Sequence, residues 1–228
     1  MSAVLRLFSL KGDWFQLGFW YPPLPFLGYC FLCGEVQLFS INLKPWLLNI
    51  LACPIDKHHP LEAYFYKWET SAEELDKINS EAGKPNQFFT KQYKHLVKQI
   101  SDGTISPASI KAIKDQTDSV HSLDLIIDVF KFIDRLSFEE DKSESNLLDK
   151  YPEGIDVLYR YLNLLEVEEG LLRCSVCGRW YPIGSSVETI PELMPDDLRD
   201  EEKDKAWLRK WIAKIPPSVK DEGKPFKP

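Results

Sequence analysis

Residues Cys174–Ile183 read CSVCGRWYPI, and this stretch constrains the fold more tightly than any other in the sequence. Two cysteines with two residues between them, followed directly by a glycine, are typical of a turn that supplies half of a tetrahedral zinc site. Gly178 allows the backbone to turn so that its amides face the sulfur atoms. A redox Cys-x-x-Cys would open a helix after a strand. Because the residues after Gly178 favour a strand, we interpret the motif as a metal-binding knuckle.

The second half of such a site has several candidates in the sequence. Cys53-Pro-Ile-Asp56 has the same spacing, with a carboxylate in place of the second thiol. Three sulfurs and one oxygen should hold zinc less tightly than four sulfurs. Cys30-Phe-Leu-Cys33 is a complete second pair, which would form a four-cysteine site with the first knuckle. His58 and His59 are further candidate ligands, although a surface loop is the default interpretation for both.

Composition excludes several classes of protein. The chain has 228 residues and a formal net charge of -7, which argues against a general nucleic-acid binder. Lys91, Lys94, His95 and Lys98 form a local basic stripe on one predicted helix, which we interpret as a solvated face. Five cysteines, an odd number, fit poorly with a closed disulfide framework, and the paired spacing indicates a metal site in a reducing, cytoplasmic compartment.

Motifs for catalysis are absent from the sequence. It contains no glycine-rich nucleotide loop, no Walker-type loop, no His-Glu-x-x-His and no Gly-x-Ser-x-Gly. The acidic clusters at residues 139–141 and 166–169 lie in charged runs, where nothing would shift the carboxylate pKa values toward acid-base work. We therefore expect that the chain is not an enzyme.

Changes in composition divide the chain into five stretches of an α+β protein. Pro22, Pro23 and Pro25 would break a membrane-spanning helix in residues 1–42. We therefore interpret these residues as an aromatic extension or as a segment upstream of the true translation start. Residues 43–68 and 167–200 carry strand and turn signals, and residues 69–166 between them carry helical periodicity. Residues 201–228 predict a helix followed by a disordered tail.

A family resemblance rests on three quoted stretches. Leu47–Pro54 reads LLNILACP, Gly170–Ile183 reads GLLRCSVCGRWYPI, and Ile190–Asp197 reads IPELMPDD. Together they resemble the small methyltransferase-activator family, whose multifunctional subunits partner tRNA, rRNA and release-factor methyltransferases. The large helical insertion between the matched pieces resembles that of archaeal-type members. The first ~40 residues match nothing in the family pattern, so Cys30 and Cys33 are taken as incidental.

The resemblance implies a non-catalytic adaptor. Its fold would be a small antiparallel-sheet, zinc-ribbon-like domain formed by residues 43–68 plus 167–200, with residues 69–166 as an α-helical insertion. Its partners would be class I S-adenosylmethionine-dependent methyltransferases, bound as a cytoplasmic heterodimer through pairing of sheet edges. The expected partner contacts are Trp180, Tyr181, Ile183, Ile190, Pro191, Leu193 and Met194. The alternative is that several of these fill the domain's own core.

The resemblance also implies the ligand set Cys53, Asp56, Cys174 and Cys177. Asp56 stands where zinc-bound members commonly have a cysteine, so the alternative is a knuckle that packing and hydrogen bonds hold without metal. We expect neither membrane association nor direct nucleic-acid binding by the isolated chain. Two other functions remain as alternatives: a zinc-ribbon nucleic-acid-binding component of a transcription or translation complex, and a redox enzyme that uses Cys174 and Cys177.

Overall fold

A four-stranded sheet forms the centre of the protein. A computed structural model describes residues 43–185 and 191–228. The strands are β1 (Glu62–Trp68), β2 (Ile113–Asp115), β3 (Val167–Arg173) and β4 (Trp180–Ile183), in the spatial order β2-β1-β3-β4. β1, β3 and β4 pair antiparallel. The α+β class and the three antiparallel strands contributed by two separated segments are as the sequence predicts.

Helices account for most of the remaining structure. They are α1 (Ala72–Glu81), α2 (Thr90–Ser101), α3 (Pro107–Lys111), α4 (Val120–Ser137), α5 (Glu144–Lys150), α6 (Pro152–Leu164), α7 (Glu201–Lys210) and α8 (Pro217–Glu222). A capping box starts α1, because the Glu74 amide donates to the Ser71 hydroxyl while the Ser71 amide donates to the Glu74 carboxylate. Pro45 opens a short 3-10 helix, Pro45–Asn49, as its fixed φ favours.

The two faces of the sheet have separate cores. Ala63, Phe65 and Leu172 point to the face that the helices of residues 69–166 cover, and one continuous buried cluster includes them and α2, α4 and α6. The insertion also supplies β2, which runs parallel to β1 from Ala63↔Ile113 to Phe65↔Asp115. The sheet is therefore mixed, a feature that the sequence analysis did not predict, and the insertion shares its core with the sheet.

The opposite face of the sheet is covered by the C-terminal segment. Tyr66 and Trp180 face this side and are buried with Trp207 of α7 and Val219 of α8. The indole Nε1 of Trp180 donates to the carbonyl oxygen of Phe226 at 2.9 Å. The prediction of a disordered tail is therefore wrong: a few apolar side chains fix the tail to the sheet, although its composition is rich in proline and lysine.

The described residues contain no helix long and apolar enough to cross a bilayer. The aromatic stretch at residues 14–33, and with it the pair Cys30 and Cys33, lies outside the described part of the chain.

A buried ion pair ties the insertion together. Asp156 and Arg160 of α6 are 0% and 2% exposed, and the Arg160 Nε lies 2.9 Å from a carboxylate oxygen of Asp156. The same carboxylate accepts from the Tyr93 hydroxyl at 2.6 Å and from the Gly83 amide at 2.9 Å. One side chain thus joins α6 to α2 and to the end of α1.

We predict that Asp156→Ala lowers the free energy of unfolding by about 3–5 kcal/mol, because it removes the buried partner of the Arg160 guanidinium and leaves only the half-exposed Glu81 to pair with it. Glu81→Ala is the matched control, since Glu81 also pairs with Arg160 but is 45% exposed; its effect should stay below about 1 kcal/mol. Urea unfolding of both variants measures this. Equal effects would mean that Asp156 does not stabilise the insertion as described.

Candidate functional site

The first ligand turn comes directly before β1. The Cys53 amide donates to the His58 carbonyl oxygen at 2.9 Å, and the Lys57 amide donates to the Cys53 carbonyl oxygen at 2.9 Å. Lys57 has a φ of 61°, a conformation that costs a non-glycine residue free energy. These two hydrogen bonds close a tight loop with Cys53 at its start and Asp56 at its tip.

The second ligand turn repeats this pattern after β3. The Cys174 amide donates to the Arg179 carbonyl oxygen at 2.8 Å, and the Gly178 amide donates to the Cys174 carbonyl oxygen at 3.0 Å. Gly178 has a φ of 73°, so the glycine stands where Lys57 stands in the first turn. By this correspondence Asp56 occupies the position that Cys177 occupies in the second turn.

The two turns bring four ligand atoms together. The side-chain ligand atoms of Cys53, Asp56, Cys174 and Cys177 all lie within 4.8 Å of one another. The Cys53 and Cys177 Sγ atoms are 3.7 Å apart, and the Cys174 Sγ lies 3.4 Å from the nearer Asp56 oxygen. Tetrahedral zinc with ordinary bond lengths requires about 3.8 Å between sulfurs and about 3.5 Å between sulfur and oxygen. These two distances match a tetrahedral zinc site, and with all four ligand atoms within 4.8 Å of one another the cluster could hold a metal.

A hydrogen bond stabilises the Asp56 carboxylate in its anionic form. The His58 amide donates to Asp56 Oδ1 at 3.0 Å. The pKa of Asp56 falls to about 2, mainly because of this hydrogen bond and in smaller part because of hydrogen bonds from the surrounding cysteines. The Tyr181 hydroxyl lies 3.3 Å from the Cys53 Sγ, so a hydrogen bond between them would help to orient this sulfur toward the ligand cluster.

The redox alternative fits the geometry less well. The segment after Cys177 continues into β4 rather than into a helix, so the sulfurs do not lie at a helix N-terminus, which would favour a thiolate. Cys174 is fully buried, and burial raises the pKa of its thiol to about 12 in the metal-free protein. A metal ion would hold the same sulfur as a thiolate.

The two histidines considered as further ligands have other partners. The His58 Nε2 lies 3.0 Å from the Ser175 hydroxyl, and the His59 Nδ1 lies 3.0 Å from the Leu51 carbonyl oxygen. Neither histidine belongs to the ligand cluster found among the described residues.

Three of the seven expected partner contacts are internal. Trp180, Tyr181 and Ile183 are fully buried within the chain. Trp180 stacks on Trp207 with the ring centroids 6.1 Å apart, and the Arg199 guanidinium lies 4.3 Å from the Trp180 ring centroid on α7's side of the sheet. These side chains fill the protein's own cores, which is the alternative that the sequence left open.

The other four expected contacts belong to the segment after β4. Pro191 bridges Ile183 antiparallel, and the Glu192 amide donates to the Pro182 carbonyl oxygen at 3.1 Å, so this segment lies against the outer edge of β4. Pro191 and Leu193 are half-buried, whereas Met194 is 37% exposed. Ile190 lies outside the described residues.

Two exposed apolar residues beside the site escaped the sequence analysis. Ile55 is 46% exposed and Val176 is 67% exposed. Each is the second residue after the first cysteine of its turn, so the two turns present apolar side chains at equivalent positions. The signal in the sequence is an apolar residue directly before the second ligand of each pair.

Comparison with protein families identifies the chain. The model of the family described as Trm112p-like protein matches residues 44–184. The chain belongs to the Trm112p-like family. The matched range contains all four ligand residues and the whole helical insertion of this Trm112p-like chain, and it ends before Pro191 and the C-terminal segment. Trm112p-like proteins are in general non-catalytic methyltransferase activators, which supports an adaptor role here.

No curated protein and no solved structure gives a significant match to the chain. The family match and the geometry of the two turns are therefore the two findings on which a functional proposal rests.

We predict that Asp56→Cys binds zinc at least tenfold more tightly than the natural chain, because a thiolate is a better zinc ligand than a carboxylate in a sulfur-rich site. Asp56→Ala should bind zinc more weakly than the natural chain. His58→Ala is the control and should leave the affinity unchanged, since its ring is not in the cluster. Competition with a chromophoric chelator, together with metal analysis, measures all three. A loss of zinc in His58→Ala would contradict the ligand assignment.

Proposed function

We propose that the chain is a non-catalytic subunit that binds, stabilises and activates class I S-adenosylmethionine-dependent methyltransferases acting on tRNA, rRNA or translation factors. The match to the Trm112p-like family over residues 44–184 carries this proposal. The adaptor and its methyltransferase would form a heterodimer in the cytoplasm, in the manner of archaeal-type members with a large insertion.

The bound metal in this proposal is zinc. The mixed sulfur and oxygen ligand set and its spacing support zinc, which accepts both donor types in tetrahedral sites. Zinc would neutralise the thiolates and fix the turn before β1 to the turn after β3. Its role is structural, because Cys53, Asp56, Cys174 and Cys177 fill all four tetrahedral positions and leave none for a substrate.

Edge pairing is the proposed mode of binding. Residues Pro191–Met194 would add a strand of the methyltransferase sheet, with Leu193, Met194 and Ile190 supplying apolar contacts. This choice is supported by the position of Pro191 and Glu192 on the outer edge of β4. At the other end of β4, the Trp180 amide donates to the Lys224 carbonyl oxygen at 3.1 Å, so that part of the edge is already paired. An unpaired edge gains hydrogen bonds and apolar burial when a partner strand covers it.

The arginines that flank the second ligand turn argue against the nucleic-acid-binding alternative. The nearest arginines, Arg173 and Arg179, form ion pairs with Glu62 and Asp196 at 2.8 and 2.9 Å. A zinc ribbon that reads nucleic acid would keep such guanidinium groups free for phosphates.

The proposal is tested by capture. The tagged full chain should recover class I methyltransferases stoichiometrically from native lysate of the source organism, with about one zinc per chain on the same sample. Recovery of ribosomal or polymerase components without any methyltransferase would contradict the adaptor function.

Met194→Lys should reduce methyltransferase recovery at least tenfold, because it places a charge on the proposed pairing segment. Phe138→Lys is the matched control, since Phe138 is an 87% exposed apolar residue at the end of α4. Its recovery should stay within about twofold of the natural chain. Equal losses in both variants would show that the pairing segment is wrongly assigned.

Activation is expected to have two measurable parts. Adding the chain to a captured methyltransferase should raise its methyl-transfer rate and stabilise it, by about 2.7 kcal/mol when the adaptor is at 100 times its dissociation constant. The chain alone should transfer no methyl group. Thermal unfolding and methyl-transfer assays on the same preparations measure both parts, and methyl transfer by the chain alone would contradict a non-catalytic role.

A further inference from the structure

One region of this acidic chain carries only positive charge. Residues 82–101 contain Lys84, Lys91, Lys94 and Lys98 and no aspartate or glutamate, although the chain has 35 acidic residues and a net charge of -7. Three of these lysines lie on α2, Thr90–Ser101.

The lysines of α2 share one outward face. Tyr93, Leu96, Val97 and Ile100 are buried against the core, and Lys91, Lys94, His95 and Lys98 are exposed on the opposite side. Their spacing of three, four and seven positions sets one positive group on each turn of the helix, about 5 Å apart along the axis. None of the three lysines forms an ion pair with a carboxylate in the described part of the chain.

Helix stability does not favour this arrangement. Lys91 lies in the first turn of α2, where the helix dipole disfavours a positive charge, and no acidic residue accompanies it there. Lys91 and Lys94, and Lys94 and Lys98, are like charges at the spacings where helix side chains repel each other. Lys98 is the exception, because it lies in the last turn of α2, where the helix dipole favours a positive charge, and close to Asp102 just after the helix. The repulsion between neighbouring lysines and the position of Lys91 still cost helix stability, and a ligand would explain why the face stays basic.

A groove beside this face offers neutral hydrogen-bonding groups. It has a volume of about 330 Å³ between α2 and α6 and is lined by Lys91, His95, Gln92, Gln99 and Asn163, with no carboxylate in its lining. Amide side chains of this kind donate to and accept from the edges of nucleic-acid bases.

An exposed aromatic ring lies just before α2 in the chain. Phe88 is 89% exposed in the 3-10 turn Gln87–Phe89 that leads into α2, whereas the neighbouring Phe89 packs on Tyr159 with ring centroids 5.0 Å apart. An exposed aromatic ring and a row of lysines are features of proteins that bind single-stranded nucleic acid, because the ring stacks on a base while the ammonium groups contact the phosphates.

We propose that the α2 basic face, formed by Phe88, Lys91, Lys94, His95 and Lys98, binds single-stranded RNA. The inference rests on the proposed function, in which the partner methyltransferase acts on RNA, and it gives the insertion the task of holding part of that substrate. Three phosphate contacts give weak, salt-sensitive binding. The proposal therefore departs from the sequence-based expectation that the isolated chain does not bind nucleic acid.

The proposal is tested by fluorescence anisotropy of the full chain with a 5′-labelled, mixed-sequence, single-stranded RNA. A length of about 16 nucleotides matches the upper end of the site sizes of single OB-fold modules. At 50 mM salt the natural chain should bind, and replacing Lys91, Lys94 and Lys98 by glutamate should weaken binding at least tenfold. The slope of log affinity against log salt should fall by about 2, since each lost phosphate contact on a single strand contributes about 0.7. Phe88→Ala should weaken binding roughly fivefold or more through lost stacking.

The matched control replaces Lys114, Lys203 and Lys227 by glutamate, which changes the net charge equally at three exposed lysines outside α2. It should bind RNA within about twofold of the natural chain. No binding by the natural chain, or an equal loss in both triple variants, would overturn the proposal. The proposal would also be overturned if a polyglutamate peptide displaced the labelled RNA as well as unlabelled RNA does and Phe88→Ala had no effect. That result would assign the face to an acidic protein.

Methyltransferase capture with the same variants keeps the two proposals distinguishable. The α2 triple variant should recover as much methyltransferase as the natural chain, because the proposed pairing segment lies elsewhere. Failure of the natural chain to capture a methyltransferase would contradict the proposed function, whereas the RNA measurement would still decide whether the α2 basic face binds RNA.

Discussion

The antiparallel pairing of β1 with β3 is the constraint on which the rest of the structure depends. The ladder begins with Glu62 opposite Arg173 and ends with Trp68 opposite Val167, so the start of β1 lies beside the end of β3. Because one ligand turn precedes β1 and the other follows β3, this register places both turns at one end of the pair. The Cys53 and Cys177 sulfurs thus come within 3.7 Å although 124 positions separate them in the sequence. The insertion, which joins the opposite ends of the two strands, is kept away from the ligand turns by the same geometry.

Features with a local cause could be predicted from the sequence. The capping box at Ser71, the helix over residues 120–137 and the strand over residues 62–68 each follow from side-chain spacing within one segment. The two ligand turns were recognisable for the same reason, because their spacing is a property of four consecutive residues. The two halves of the site could be paired only through the family resemblance, since no local pattern connects Asp56 with Cys174.

Features with a tertiary cause were missed. β2 has three residues, too few to show an alternating pattern, and it exists because the insertion docks beside β1. The C-terminal tail is ordered because Trp180 and Val219 hold it, which its own composition does not reveal. Some of the residues expected to contact a partner are instead buried inside the chain, and the cause is again tertiary. β4 is buried on both faces, so Trp180 faces the C-terminal segment while Tyr181 and Ile183 face the insertion. Of the expected contacts that the structure describes, those from Pro191 onward lie along the outer edge of β4.

The division of the ligands between two distant turns has a consequence for the order in which the molecule assembles. A chain that must close a loop of more than 120 residues loses considerable entropy before the two halves of the metal site can meet. Contacts of such high sequence separation form slowly, whereas the helices of the insertion depend on local contacts. The metal would therefore arrive late, after the insertion has collapsed and brought β3 back to β1. In a newly made chain, each ligand turn supplies only two of the four ligands of the site until the intervening residues have folded.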